Sequence, residues 1–213
     1  MNTIKKIAGG LKFSRFLIFH PFKGFWDLKH EKEGSMSAAM TILGLVVITF
    51  IIRSQFTGFI LNYSIPSEFN IFFQITGIVL PFFLWCVSNW CITTLMDGEG
   101  FLKDIIITMA FAMVPLILIN IPMVILSNVI TIEESSFYVI LDSVAIIWSV
   151  FLVLCGLMTV HQFTMSKTIF TVLVALLCML IIVFILILYM TLIQDVINFI
   201  KLLFNEMQLR INY

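Results

Sequence analysis

The sequence predicts an all-α polytopic membrane protein, a five-transmembrane-helix bundle with an interfacial N-terminal amphipathic helix. Three observations predict it. Hydrophobic residues make up 61% of the 213 positions and charged residues only 11%, against about half and a quarter in a soluble domain. The mean hydropathy is +1.12. Apolar runs long enough to cross a hydrocarbon core alternate with short polar connections. Such a chain has room for several spans but for no sizeable extramembrane domain.

Residues 1–35 read as a cytoplasmic basic and aromatic arm. Lys5, Lys6, Lys12, Arg15, Lys23, Lys29 and Lys32 stand against Asp27, Glu31 and Glu33, with Phe13, Phe16, Phe19, Phe22, Phe25 and Trp26 between them. Pro21 suits the first turn of a helix, where its missing N–H costs nothing. From there Phe22, Phe25, Trp26 and Lys29 share one face. The pattern predicts a helix on the inner leaflet, with Lys23, Phe25, Trp26 and Lys29 at the membrane surface and the Lys29 stem snorkelling. Aromatics and lysines directly before a span indicate lipid, not nucleic acid. The long apolar core and small-residue cleavage pattern of a secretory signal do not follow Lys5 and Lys6.

A five-helix transmembrane domain is expected over 36–193. Gly34 and Ser35 break the preceding helix, and span 1 covers 36–60. Arg53 lies about 25 Å along it at 1.5 Å per residue, within reach of the outer headgroups. Pro66 ends that segment, and Ser67 with Glu68 marks a helix start. Span 2 covers 69–95, and Pro81 is expected to kink it or release a carbonyl. Trp85 and Asn89 share a face one turn apart. Asp97-Gly98-Glu99-Gly100 forms the inner turn.

Span 3 covers 101–126, with Asp104 in its first turn favoured by the helix dipole. Pro115 and Pro122 in one span predict a bent or broken helix. Thr131 and Glu134 have capping-box spacing before span 4 at 137–160. Span 5, at 168–192, is nearly all aliphatic. In the tail, 194–213, Gln194, Asp195, Asn198, Lys201, Asn205 and Gln208 recur every three to four residues and mark an amphipathic helix. With the N-terminus inside, nine Lys and Arg residues fall on inner segments and three on outer ones. That asymmetry predicts a cytoplasmic N-terminus and an outer C-terminus in the cell membrane.

The polar residues within or beside the spans are the candidate site residues. Asp97 and Glu99, with Asp104 nearby, are the weak candidates for a divalent cation at the membrane surface, although no third spaced ligand completes a metal motif. Asn89, Asn120 and Asp142 are the candidates for a polar path, since ionisable and amide groups in a span are costly. Pro81, Trp85, Gly98, Gly100 and Pro115 are candidates for helix shape and packing. Cys86, Cys91, Cys155 and Cys178 lie in apolar runs without a C-x-x-C pair and read as packing residues. No nucleophile–base pair, zinc motif, Walker sequence or dinucleotide fingerprint is present in the sequence, and no catalytic residue or cofactor is assigned.

Three stretches carry a family resemblance: HPFKGFWDLKHEKEGS at 20–35, LPFFLWCVSNWCITTLMDGEG at 80–100 and FLKDIIITMAFAMVPLIL at 101–118. The glycine-bounded turn followed by Ala110, Ala112 and Pro115 is the most characteristic part. The chain resembles the Yip family of multi-pass membrane proteins, and most closely its short bacterial branch. The resemblance implies a five-helix membrane bundle with a cytosolic N-terminus. Eukaryotic members, linked to Rab-type GTPases, have a longer N-terminal region that has no counterpart in this sequence, so no Rab partner is expected.

Three functions are then open. The first is a non-catalytic scaffold or accessory subunit that contacts lipid and other membrane proteins or itself. The second is a small transporter or channel with a path near Asn89, Asn120 and Asp142. The third is an enzyme acting on lipid headgroups through the 96–100 turn.

Overall fold

Two prolines and two side-chain caps punctuate the apolar chain. The computed structural model describes residues 3–31, 34–59, 61 and 70–211, and every regular element among them is a helix. Helix α1 (Thr3–Phe19) is followed at once by α2 (Pro21–His30), which Pro21 opens. The Ser35 hydroxyl accepts from Ala38 N at 3.1 Å and caps α3 (Met36–Phe56). Asn70 Oδ1 accepts from Phe72 N at 2.9 Å and caps α4 (Ile71–Leu95). Each cap satisfies a backbone donor that the first turn leaves without an intrahelical partner. The helix start expected at Pro66, Ser67 and Glu68 lies outside the described residues.

Prolines act differently by position. The third span is split into α5 (Leu102–Ala112) and α6 (Val114–Ser127) at Met113. Pro115 supplies no N–H to the turn before it, and its ring excludes the helical carbonyl at Phe111. The chain therefore restarts with Pro115 in the first turn of α6. Pro81 and Pro122 lie inside α4 and α6 without interrupting either helix, so the break expected of the third span is present at one of its two prolines. Helix α7 covers Ser135–His161 and ends at Gln162, whose φ of 58° turns the chain. Helix α8 runs unbroken from Met165 to Ile211. The tail expected as its own helix after 192 is thus continuous with the fifth span.

Among the described residues, five helical segments are long and apolar enough to cross a membrane: α3, α4, α5 together with α6, α7 and α8. Helix α5 is the centre of the packing, with Ile105 to Ala112 all buried. It lies against α3, α4 and α7, and the N-terminal helices also touch it. Small residues permit this approach, as is usual where helices pack in lipid. A Cβ at Gly156 would stand 2.4 Å from Thr108 Cγ2 and 3.2 Å from Phe25 Cε1. Phe25 is fully buried in this core with Leu17, rather than at the membrane surface, because α2 packs across the end of α7. Helix α8 packs chiefly on α4. Its Thr168, Thr171 and Ala175 are buried, and beyond Val183 nearly every residue is exposed.

Candidate functional site

The polar residues gather at the two ends of the bundle. At the end opposite the N-terminal helices, Arg53 near the end of α3 points between α6 and α7. Its Nη1 donates to Asp142 Oδ1 at 2.6 Å and to Asn120 Oδ1 at 2.7 Å. The Asn120 amide is held by the opposite bond, Nδ2 donating to Leu116 O at 2.7 Å. Since arginine only donates, Asn120 must turn its oxygen to Arg53. The Tyr138 ring lies 5.7 Å from the guanidinium carbon, within cation–π range. Arg53 is therefore tied inside the bundle, where its length along α3 had suggested a side chain reaching outer headgroups.

A charge at this depth is costly unless it is paired. Here the pair is neutral as a unit, and the two side chains are 24% and 27% exposed. They face a cavity of about 510 Å³ lined also by Ser54, Thr57, Gln74, Ser135 and Ser143. Thr57 and Ser143 donate their hydroxyl protons to Arg53 O and Val139 O of their own helices. Their oxygens are left as acceptors. The same end is tied by Gly58 N donating to Ser127 Oγ at 2.9 Å and by Asn128 Nδ2 donating to Phe56 O at 3.0 Å.

At the other end the 96–100 turn is clamped. Asp97 takes a left-handed φ of 58°, and Gly98 N returns to Thr93 O at 2.8 Å. Gly100 N donates to His161 Nδ1 at 3.3 Å. Nδ1 therefore acts as acceptor, which places the ring proton of a neutral imidazole on Nε2. The approach leaves no space for a side chain: a Cβ at Gly100 would lie 2.5 Å from Val160 Cγ1. Lys29 Nζ donates to Val160 O, in the last turn of α7, at 2.8 Å and to Glu99 Oε2 at 3.3 Å. Lys167 Nζ donates to Met96 O at the end of α4 at 2.8 Å and stands 4.0 Å from the Phe163 ring centre. Both lysines sit where the carbonyls and dipole of a helix C-terminus favour a cation.

The sequence candidates are thus distributed as follows. Asn120 and Asp142 come together, joined by Arg53, which sequence reasoning set aside. Asn89 lies elsewhere, six residues before the end of α4, fully buried with neither side-chain polar atom bonded. Asn89 and Asn120 are therefore near opposite ends of the bundle. Asp97 is exposed, Glu99 is paired with Lys29, and Asp104 Oδ2 accepts from Phe101 N at 3.2 Å. Among the described residues no three His, Cys, Asp or Glu side chains converge on a cation site. Trp85 Nε1 donates to Met109 Sδ at 3.3 Å, and with Pro81 it lines an apolar groove. Lys23 is exposed, its Nζ 6.0 Å from the Phe16 ring centre. Trp26 is half exposed and stacks on His30, whereas Lys29 is drawn inward to the turn. His161 and Lys167 join the clamp unpredicted; only their positions beside span ends hinted at it.

The geometry positions helix ends and presents one dipolar cavity. The chain was compared with known families, curated proteins and solved structures. The family model described as Yip1 domain matches residues 15–188, from within α1 to the middle of α8. No curated protein and no solved structure matched the chain.

Proposed function

The chain belongs to the Yip1-domain family of integral membrane proteins, and from that membership we propose that it is a non-catalytic scaffold or accessory subunit of a membrane complex. The observation that carries this reading is the last third of α8. Val196, Phe199, Ile200, Leu203, Phe204 and Met207 are all about half exposed or more. At 1.5 Å per residue α8 is about 70 Å long, against a hydrocarbon core of about 30 Å. An apolar segment of this kind beyond a span is a surface for another membrane protein or a second copy.

The polar groups support the non-catalytic reading. Arg53, Asp142, Lys29, Glu99 and Lys167 each hold a helix end or a partner charge. The location proposed is the cytoplasmic membrane, with the N-terminus inside and the C-terminus outside, from the nine-to-three distribution of Lys and Arg. No Rab-type GTPase partner is proposed.

The test is crosslinking in native membranes, followed by capture through an N-terminal tag and quantitative mass spectrometry. The full chain and a chain ending at 192 are compared. The reading expects one strongly enriched complex, or a self-complex, that is lost on truncation. Equal recovery of the same proteins from both chains would overturn the role of α8, and recovery of lipid alone would overturn the accessory reading.

A further inference from the structure

The geometry points to a binding site for one phospholipid with a phosphoethanolamine headgroup, seated between α3, α4 and α7. The dipolar cavity at Arg53 and Asp142 does not stand alone. A second cavity, of about 610 Å³, lies beside it and is lined almost wholly by apolar side chains. Phe50 borders both. Three helices pass from polar to apolar lining in the same direction. On α3 the step is from Arg53 to Phe50, on α4 from Gln74 to Gly77 and Pro81, and on α7 from Ser143 to Val150. A polar chamber that opens into an apolar groove is the shape of an amphiphile.

The dimensions agree with a lipid of one leaflet. Gln74 to Trp85 spans about 16 Å along α4, and half of a hydrocarbon core is about 15 Å. Met109, Met113 and Met179 line the groove, and their flexible thioethers adapt to an acyl chain. Leu176 and Met179 of α8 also line the groove.

The polar chamber fixes the headgroup chemistry. Arg53 supplies the donors that recognise a phosphate. Asp142 and the acceptor oxygens of Thr57 and Ser143 face the same cavity. A primary ammonium can donate to all three. A quaternary choline has no proton to donate, and a glycerol headgroup carries no positive charge for Asp142. Arg53 and Asp142 side by side therefore match a zwitterion whose cation bears N–H groups. This inference stands on the cavities alone and does not require the partner reading of α8.

The test is native mass spectrometry of the purified chain after exchange into micelles holding equal amounts of phosphatidylethanolamine, phosphatidylcholine and phosphatidylglycerol with matched acyl chains. One retained lipid per chain is expected, with phosphatidylethanolamine favoured about tenfold, the weight of one hydrogen bond to a charged group. Arg53→Gln with Asp142→Asn should abolish that preference. Gly77→Phe provides a variant independent of the ion pair, because a Cβ at Gly77 meets nothing within 4 Å and the ring would enter the groove. It should lose the retained lipid while keeping the helical circular dichroism. Equal retention of the three lipids would overturn the headgroup assignment. Undiminished retention in Gly77→Phe would overturn the groove, as would full displacement by soluble O-phosphoethanolamine, which has no acyl chain.

Discussion

At the scale of single residues, the Arg53–Asp142–Asn120 cluster should behave as one unit. Removing either charge leaves the other without its partner at a depth where hydration is restricted. Arg53→Gln and Asp142→Asn should each lower the thermal midpoint in detergent, and the double variant should lose less than the sum. We expect a coupling of about 1–3 kcal/mol from a double-mutant cycle. Additive losses would show that the pair contributes nothing jointly. Asp142 and Asn120 are legible in the sequence because an acid and an amide inside apolar runs are conspicuous. Arg53 is not, because a basic residue near the end of a span is usually explained by snorkelling, and its partner is 89 residues away. Lys29 shows the same blindness: its helical face is readable, but its partner carbonyl at Val160 depends on how α2 crosses α7.

At the scale of elements, contact between α5, α7 and α2 depends on the missing side chain at Gly156. Gly156→Leu places atoms where Thr108 and Phe25 already lie. Overpacking of this kind costs about 1–3 kcal/mol, and it should lower the thermal midpoint clearly, whereas Gly44→Leu, at a glycine whose Cβ would meet nothing within 4 Å, should leave it nearly unchanged. Equal effects at the two positions would contradict the packing described. The helices themselves are legible from hydropathy, and the break in the third span follows from its prolines. Hydropathy does not tell which proline breaks a helix. Pro115 falls where the chain restarts after Met113, while Pro81 and Pro122 are absorbed within α4 and α6. Nor does it show that α8 continues past 192. The polar stripe from Gln194 to Gln208 reads as a separate amphipathic tail, but no residue after Leu192 forces an end to the helix.

At the scale of the whole molecule, the five spans are legible in composition and apolar runs, and the family match over 15–188 covers all three stretches that carry the resemblance. Function is less legible, because the polar groups that stand out in an apolar chain serve first to fix helix ends. The dipolar chamber emerges only when α3, α4 and α7 are brought side by side. The proposed partner reading rests on the last third of α8, which extends past residue 188, where the family match ends. The measurement that tests the account most directly is photo-crosslinking in native membranes from a benzoylphenylalanine at Phe199, with the same probe at Phe72 on the exposed start of α4 as reference. A discrete protein adduct, of one partner or a second copy, is expected from Phe199, and lipid adducts from Phe72. Lipid adducts alone from both positions would contradict it.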